Sequence, residues 1–462
     1  MKARPKFSPT HLLCGLMLMP ALAVHAQTSI SPQTSTETRP RTVTSAPPPQ
    51  TKPAQSPTVT QSTTPPPTTI KATPTPTPTV TPTPTPRVSP TSATSMIVPS
   101  VPLPPVTLQP AHPLQVSKAR LRIAEVQRQL KARVVPTALS PNTSFVTLAA
   151  LDADTSHVHL VTLLKEAFLT KDYETMLTSS RGTNLRLRIV RPNYVNTAVI
   201  VSDHTGKQLS PLVVEYPIEK FGKFREMAYY TSAHPALLSP EVVKTGQQYV
   251  RTMVDLAAKR LHDKGHIIQP PILDIAERLC LVEHVDHDRF RKENRAAIYD
   301  DVFALYALNE IDTYRYSVST AGAGGMVQMI PWTYNMIRQR YPAVGLNPDF
   351  VAGMRNHGNA LEAMLLYMRD TWNDLALNPD VSYALGAKLA TQAELMAAGY
   401  NSNPARLGLY IRRGNDNWRA HIPRETQMYL QIYKSVESLV PMKAREAKTS
   451  GATNLTSNQP AP

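Results

Sequence analysis

The sequence predicts a mainly helical protein with a small α+β module and a long disordered N-terminal segment. Apolar residues recur at helical spacing through most of residues 270–440, which is typical of packed helices. Between residues 184 and 233 apolar and polar residues alternate, as they do in strands. Residues 27–111 are largely Pro, Thr and Ser with almost no large apolar side chains, so they cannot offset the entropy cost of folding.

These changes in pattern divide the chain into five predicted parts. They are a signal peptide (1–26), a disordered Pro/Thr-rich tether (27–111), a small α+β module of unknown role (112–268), a helical domain (269–440) and a disordered tail (441–462).

The N-terminus has the features of a cleavable secretory signal peptide. Lys2, Arg4 and Lys6 precede the apolar run LLCGLMLMPALAV, and VHA stands before Gln27 at the cleavage site. The apolar run is too short to span a membrane, and Cys14 lies inside it rather than at a lipoprotein processing site. We expect an exported, periplasmic protein with no lipid anchor and no transmembrane span after cleavage.

The composition favours an anionic partner. The formal net charge is +15, but the basic residues are scattered rather than gathered with aromatic residues in one helix or arm, which argues against nucleic acid. An anionic polymer of the cell envelope is the simpler partner. After signal cleavage Cys280 is the only cysteine, and on an apolar helix face it is interpreted as a small buried hydrophobic residue.

The α+β module is expected to begin with a charged helix over about residues 115–134. Three or four antiparallel strands are predicted within residues 184–233, with residues 203–207 as a hairpin turn. Arg186 and Arg188 lie on one strand face, which is either solvated or a contact for an anionic polymer.

Glu310 ends an apolar helix and is followed by a glycine-rich loop. Residues 299–309 are apolar on most sides, and Glu310 extends one of their faces, four residues after Tyr306. A carboxyl group in this position is costly to ionise, so we expect its pKa to be raised into the range useful to a general acid. The other interpretation is an ordinary helix-terminal Glu that reaches water.

Other helices are predicted on both sides of this loop. One starts after Ser239 and Pro240, a second covers residues 358–375, and a third runs over residues 385–399. The last begins within IPRETQMYLQIYKSV, at residues 422–436.

One sequence cluster has the composition of a metal site. It is LVEHVDHDRF, with His284, Asp286, His287 and Asp288. Its histidines stand at i and i+3 and have no clear distant partner, so a polar helix end is favoured over a metal site. No metal or other cofactor is expected.

Three sequence blocks stand in a fixed order in the helical region. Glu310 is followed nine residues later by Ser319 and then by GAGGMVQMIP (322–331); AGYNSN (398–403) and IPRETQMY (422–429) come after it. Together they resemble the soluble lytic transglycosylase family, glycoside hydrolase family 23, whose catalytic domain has the goose-type lysozyme fold. The resemblance covers about residues 270–439.

The resemblance implies a lysozyme-like catalytic domain over residues 269–440, with Glu310 as its single acid and base. It also implies that Ser319 and Gln328 bind glycan near the scissile bond. Tyr400 is implied to be hydrogen-bonded to Glu310 or to face it, with Asn401 as a further substrate-binding residue. Ile311 departs from the family, which usually has Ser there. Structural positions of the cleft are implied at Gly322, Gly325, Pro331, Glu425 and Tyr429.

The implied reaction is cleavage of the β-1,4 bond between MurNAc and GlcNAc in peptidoglycan, with formation of a 1,6-anhydro-MurNAc end. One carboxyl group suffices because it protonates the bridging oxygen and then takes the proton of the C6 hydroxyl, whereas most glycosidases need two carboxyl groups. The alternatives are a lysozyme-like hydrolase and a non-catalytic peptidoglycan-binding or scaffold protein. The expected partners are glycan strands, and residues 112–268 are a surface on which other envelope proteins could bind.

Overall fold

The computed structural model describes residues 103, 107–108, 116–133, 143–232, 234 and 237–446. These residues belong to one compact unit. The predicted signal peptide, nearly all of the predicted tether and residues 447–462 of the predicted tail lie outside the described residues. Among the residues that are described, no helix is long and apolar enough to cross a membrane.

A helix and an antiparallel sheet form the first described part. The helix α1 (Val116–Ala132) confirms the charged helix predicted there. The seven strands are β1 (Phe145–Leu151), β2 (Val158–Leu164), β3 (Glu174–Thr178), β4 (Asn184–Arg191), β5 (Ala198–Ser202), β6 (Gln208–Lys220) and β7 (Lys223–Tyr230), with the short helix α2 (Lys165–Phe168) between β2 and β3. Their order is β2-β1-β6-β5-β4-β3, and β7 pairs with β6.

The three or four strands predicted within residues 184–233 are confirmed, since β4, β5, β6 and β7 lie there. The three strands that precede residue 184 were not predicted. The sequence FVTLAAL of β1 is buried along almost its whole length, so it has no alternation of polar and apolar residues by which to recognise a strand. The predicted hairpin turn is confirmed between β5 and β6. The backbone N–H of Asp203 donates to the carbonyl of Lys207 over 3.0 Å, and the Asp203 side chain accepts from the N–H of Thr205.

Helices make up the rest of the described chain. They are α3 (Pro240–Asp263), α4 (Pro270–Val282), α5 (His287–Lys292), α6 (Arg295–Asn309), α7 (Pro331–Arg340), α8 (Phe350–Arg355), α9 (His357–Ala376), α10 (Pro379–Gly386), α11 (Gln392–Asn401), α12 (Leu407–Gly414) and α13 (Arg424–Leu439). The start of α3 confirms the cap predicted from sequence, since the Ser239 side chain accepts from the N–H of Val242. The goose-type lysozyme fold stays a prediction.

The helix predicted over residues 385–399 is wrong, because the chain forms two helices there. The break lies between α10 and α11, where Thr391 and Glu394 form a capping box that starts α11. A Thr followed three residues later by Glu is a start signal for a helix. Leu385 and Leu389 continue the apolar spacing across the break, so the apolar pattern predicts one continuous helix.

Helix α6 joins the sheet to the helical part. Ala304 and Ala307 pack in one apolar cluster with Ile123 of α1 and Leu212 of β6. On another side α6 lies against α3 at Gly246, where an added Cβ atom would lie 1.9 Å from the Phe303 carbonyl oxygen. Only a glycine permits this approach, so α6 is held between the sheet and α3.

Candidate functional site

Glu310 lies at the surface, which agrees with the interpretation of a helix-terminal Glu that reaches water and not with a buried carboxyl group. It follows the last residue of α6, and its side chain is 51% exposed and pairs with Arg120 of α1 at 2.9 Å. Arg120 also donates to the carbonyl oxygen of Ala307 in the last turn of α6. A cation at this end satisfies a free helix carbonyl and offsets the negative end of the helix dipole. The contacts of Glu310 are therefore those of a helix end tied to α1.

Ser319 and Gly322 shape the loop that follows. The Ser319 Oγ accepts from the N–H of Ala323 over 3.0 Å, and the N–H of Ser319 donates to the Ala323 carbonyl over 2.8 Å. Gly322 adopts a φ of +78°, which favours glycine. Gly325 has a φ of +68°, and a Cβ atom there would lie 2.3 Å from the carbonyl oxygen of Met354. Both glycines therefore fix the backbone of this loop.

Gln328 is buried in this loop, and one of its polar atoms has no hydrogen-bond partner in the part of the chain that the structure describes. Its Nε2 donates to the Gly325 carbonyl over 2.8 Å and to the Ser317 hydroxyl over 3.2 Å. Its Oε1 is buried and has no hydrogen-bond partner among the described residues. The backbone of Gln328 also has a φ of +46°, which is costly for a residue with a side chain. An unpaired buried acceptor on a strained backbone is typical of a ligand-binding position. Pro331 then begins α7.

Tyr400 and Asn401 connect the three sequence blocks to one another. The Tyr400 hydroxyl donates to the carbonyl oxygen of Val327 over 2.7 Å, and not to Glu310. Burial raises the pKa of Tyr400, and the nearby carboxylate of Glu283 raises it further. The Asn401 Oδ1 accepts from the Thr426 hydroxyl over 2.8 Å. The second block therefore contacts both the glycine-rich loop and the third block.

The third block reaches a carboxylate that is not Glu310. The Tyr429 hydroxyl on α13 donates to the Oε1 of Glu283 over 2.6 Å. Glu283 directly follows α4 and is 5% exposed, and Tyr429 is 1% exposed. Glu425, in the first turn of α13, is exposed. Glu283 thus has the burial and the helix-end position that the sequence suggested for Glu310.

The residue next to Glu283 binds the glycine-rich loop. The Nε2 of His284 lies 2.9 Å from the Met326 carbonyl oxygen, and because a carbonyl only accepts, this nitrogen carries the proton. The His284 ring stacks on Tyr314, with ring centroids 3.3 Å apart. Asp286 caps α5 by accepting from the N–H of Arg289. Within the described residues, no three or more His, Cys, Asp or Glu side chains are grouped as a metal site.

The sequence prediction missed Glu283, although a signal for it exists. Glu283 ends the apolar helix α4 just as Glu310 ends α6. The spacing to Ser319 and Gln328 favoured Glu310, because α5, α6 and their connections lie between Glu283 and the loop. Cys280, in the last turns of α4, is fully buried, as predicted, and burial raises the pKa of its thiol.

Comparison with known proteins does not assign the chain to a family. No family model matches the chain, and no curated protein or solved structure matches it.

Proposed function

We propose that this protein is a periplasmic peptidoglycan lytic transglycosylase in which Glu283, rather than Glu310, is the acid and base. The observation that carries the proposal is the hydrogen bond from Tyr429 to the buried carboxylate of Glu283. The three blocks on which the family resemblance depends contact one another around this carboxylate. Glu310 remains the alternative candidate, and the experiment below tests both residues.

In the proposed reaction one carboxyl group acts twice. Protonated Glu283 donates its proton to the oxygen between MurNAc and GlcNAc as the bond to the MurNAc C1 breaks. The C6 hydroxyl of the same MurNAc then attacks C1 and returns its proton to Glu283, which closes the 1,6-anhydro ring without consuming water. The hydrogen bond from Tyr429 stabilises the carboxylate that exists between the two steps.

The loop residues have a place in this reaction. The unpaired Oε1 of Gln328 can accept a hydrogen bond from an N–H or O–H of the glycan. Gly325 and Ser317 hold the Gln328 amide from its other side, which fixes the direction in which Oε1 points. Ser319 acts by shaping the loop.

The glycan reaches Glu283 only after a side chain moves, because Glu283 is 5% exposed. The ring of Tyr314 stacks on the neighbouring residue His284, and we infer that rotation of this ring gives the glycan access. Tyr314 has a φ of +58°, a strained conformation of the kind found in segments that change shape.

The test is digestion of purified sacculi by the full chain, followed by mass spectrometry of the soluble products. We expect 1,6-anhydro muropeptides from the wild type and from Glu310→Gln, and a loss of at least about 100-fold in Glu283→Gln. If Glu310→Gln is inactive while Glu283→Gln is active, the assignment to Glu283 is wrong and the alternative site is supported.

The same digest separates the other functions. Products with only reducing ends indicate a lysozyme-like hydrolase in place of a transglycosylase. Binding of the chain to sacculi without release of fragments indicates a non-catalytic binding or scaffold protein. Either result would refute the proposed reaction.

A further inference from the structure

A cavity beside the proposed site lies between the sheet and the helical part, and Tyr314 and Ser317 of that site line it. Its volume is about 110 Å³. One side is lined by the last residue of β4 and by residues after it, and the other by residues of α5 and α6. His284 also lines it, so the cavity adjoins the neighbour of Glu283. We call it the Arg191 cavity.

Arg191 brings a positive charge to this cavity without a direct partner. Its side chain makes no hydrogen bond or ion pair within the described part of the chain. Asp301 and Asp286 also line the cavity. Asp301 binds Arg289 at 2.7 Å, Asp286 accepts from the N–H of Arg289 over 2.8 Å, and Glu293 binds Arg289 at 2.8 Å. Burial lowers the pKa of the Arg191 guanidinium, and the charge of Arg289 lowers it further. An arginine nevertheless stays charged at neutral pH, so an anion in the cavity would offset the cost of burying it.

The backbone directs Arg191 by a break in the strand pairing. The register of β4 against β5 shifts between Ile189 and Arg191, an irregularity of the kind that a β-bulge produces. Bulges re-aim a side chain and are frequent next to binding sites. Arg191 therefore lies where the regular alternation of side chains between the two faces of the sheet is interrupted.

Asn196 supplies a second unpaired polar atom. It lines the same cavity, and its Oδ1 is buried without a hydrogen-bond partner among the described residues. A guanidinium group donates to a carboxylate through two parallel hydrogen bonds, while an amide oxygen accepts from an N–H. Arg191 and Asn196 together therefore fit a ligand in which an amide N–H lies beside a carboxylate.

We propose that the Arg191 cavity binds the free carboxyl terminus of a peptide, with Arg191 on the carboxylate and Asn196 on the adjacent N–H. The volume suffices for a few water-sized groups, which fits a peptide terminus. The identification of this peptide with a peptidoglycan stem rests on the proposed function. On that basis the sheet contributes to the choice of substrate, by selecting strands whose stem peptides end in a free carboxylate.

The test is calorimetric titration of the full chain with acetyl-D-Ala-D-Ala. This probe contains no glycosidic bond, so binding is measured independently of cleavage. We expect the C-terminal amide of the same peptide to bind at least about tenfold more weakly, because it lacks the charge. Inorganic phosphate, which has no adjacent N–H, is expected to bind more weakly as well. Equal binding of acid and amide, or tighter binding of phosphate, would overturn the proposal.

Three variants locate the binding. Arg191→Gln is expected to weaken binding of the acid by about tenfold or more, and Arg191→Lys by less, because lysine keeps the charge but not the planar pair of donors. Arg188→Gln is the matched control, since Arg188 is exposed on the same strand. Unchanged binding in Arg191→Gln, or an equal loss in Arg188→Gln, would contradict the assignment.

The two proposals fail separately. If the sacculus digest yields no product while the peptide binds through Arg191, the reaction is wrong and the cavity assignment stands. If digestion proceeds by way of Glu283 while the peptide does not bind, the cavity assignment alone is wrong.

Discussion

Replacing Tyr429 with Phe tests the contact on which the proposed function depends. The substitution removes the hydroxyl that donates to Glu283 over 2.6 Å and keeps the aromatic ring in place. Both residues are buried, so water does not readily replace the lost donor. The change therefore removes the hydrogen bond that Tyr429 donates to this carboxylate.

The size of the effect follows from this geometry. The ring of Phe fills the same space, so almost no apolar burial is lost. A hydrogen bond to a charged group contributes about 1.5–3 kcal/mol, and we expect Tyr429→Phe to lower the free energy of unfolding by about that amount. If the bond also stabilises the carboxylate between the two chemical steps, kcat falls by about 10- to 150-fold.

Urea denaturation and the sacculus digest measure the two quantities. Tyr433→Phe is the control, because Tyr433 lies one turn later on α13, is 1% exposed, and its hydroxyl makes no hydrogen bond of standard geometry within the described residues. We expect this control to change stability by less than about 0.5 kcal/mol and to keep its activity. Wild-type stability and activity in Tyr429→Phe would refute the reasoning.

Three more substitutions test how the fold is held together. Gly325→Ala is expected to destabilise the chain by more than about 3 kcal/mol, because the new Cβ meets a backbone carbonyl oxygen at 2.3 Å as well as an unfavourable φ. Arg445→Ala is expected to cost about 3–5 kcal/mol, since Arg445 binds the buried carboxylate of Glu277 at 2.6 Å. His357→Gln is expected to make stability less dependent on pH: burial lowers the pKa of His357 from 6.5 to about 4, so protonation of the unfolded chain costs about 2 kcal/mol of stability between pH 7.5 and pH 5.

Each of these predictions has its own check in urea unfolding. Gly182 has a similar φ of +77° but open space around an added Cβ atom. Gly182→Ala therefore measures the stability lost through the unfavourable φ alone, about 1 kcal/mol. Equal losses of stability in the two glycine variants would show that the loop at residue 325 moves to avoid the collision. Lys443→Ala removes an exposed charge near Arg445 and is expected to be almost neutral. If His357→Gln loses as much stability as the wild type on acidification, titratable groups other than His357 cause that loss.

The direction of the histidine effect follows from which state binds the proton. In the folded chain His357 is neutral, with Nε2 donating to the Thr313 carbonyl over 2.8 Å and Nδ1 lying 2.9 Å from the Tyr249 hydroxyl. As pH falls from 6.5 toward 4, the unfolded chain takes up a proton that the folded chain does not, so stability falls.

Local signals predicted most of the helical elements. Ser239 and Pro240 begin α3 as expected, and the ends of α6 and α9 follow the apolar spacing. The cap at Thr391 was missed because apolar spacing continues across it. Strand β1 was missed because burial on both faces removes its alternation, and the partners that bury it come from distant parts of the chain.

The sequence alone determined the order and spacing of the three blocks, and it predicted that one carboxylate at the end of an apolar helix is the candidate acid. Two helices, α4 and α6, fit that description, and spacing along the chain favoured Glu310. Tertiary structure decided which carboxylate those blocks contact, because Tyr429 of α13 reaches Glu283 while Arg120 of α1 pairs with Glu310. Burial and hydrogen bonding depend on neighbours that are distant in sequence, so no local pattern distinguishes a helix end in the core from one at the surface.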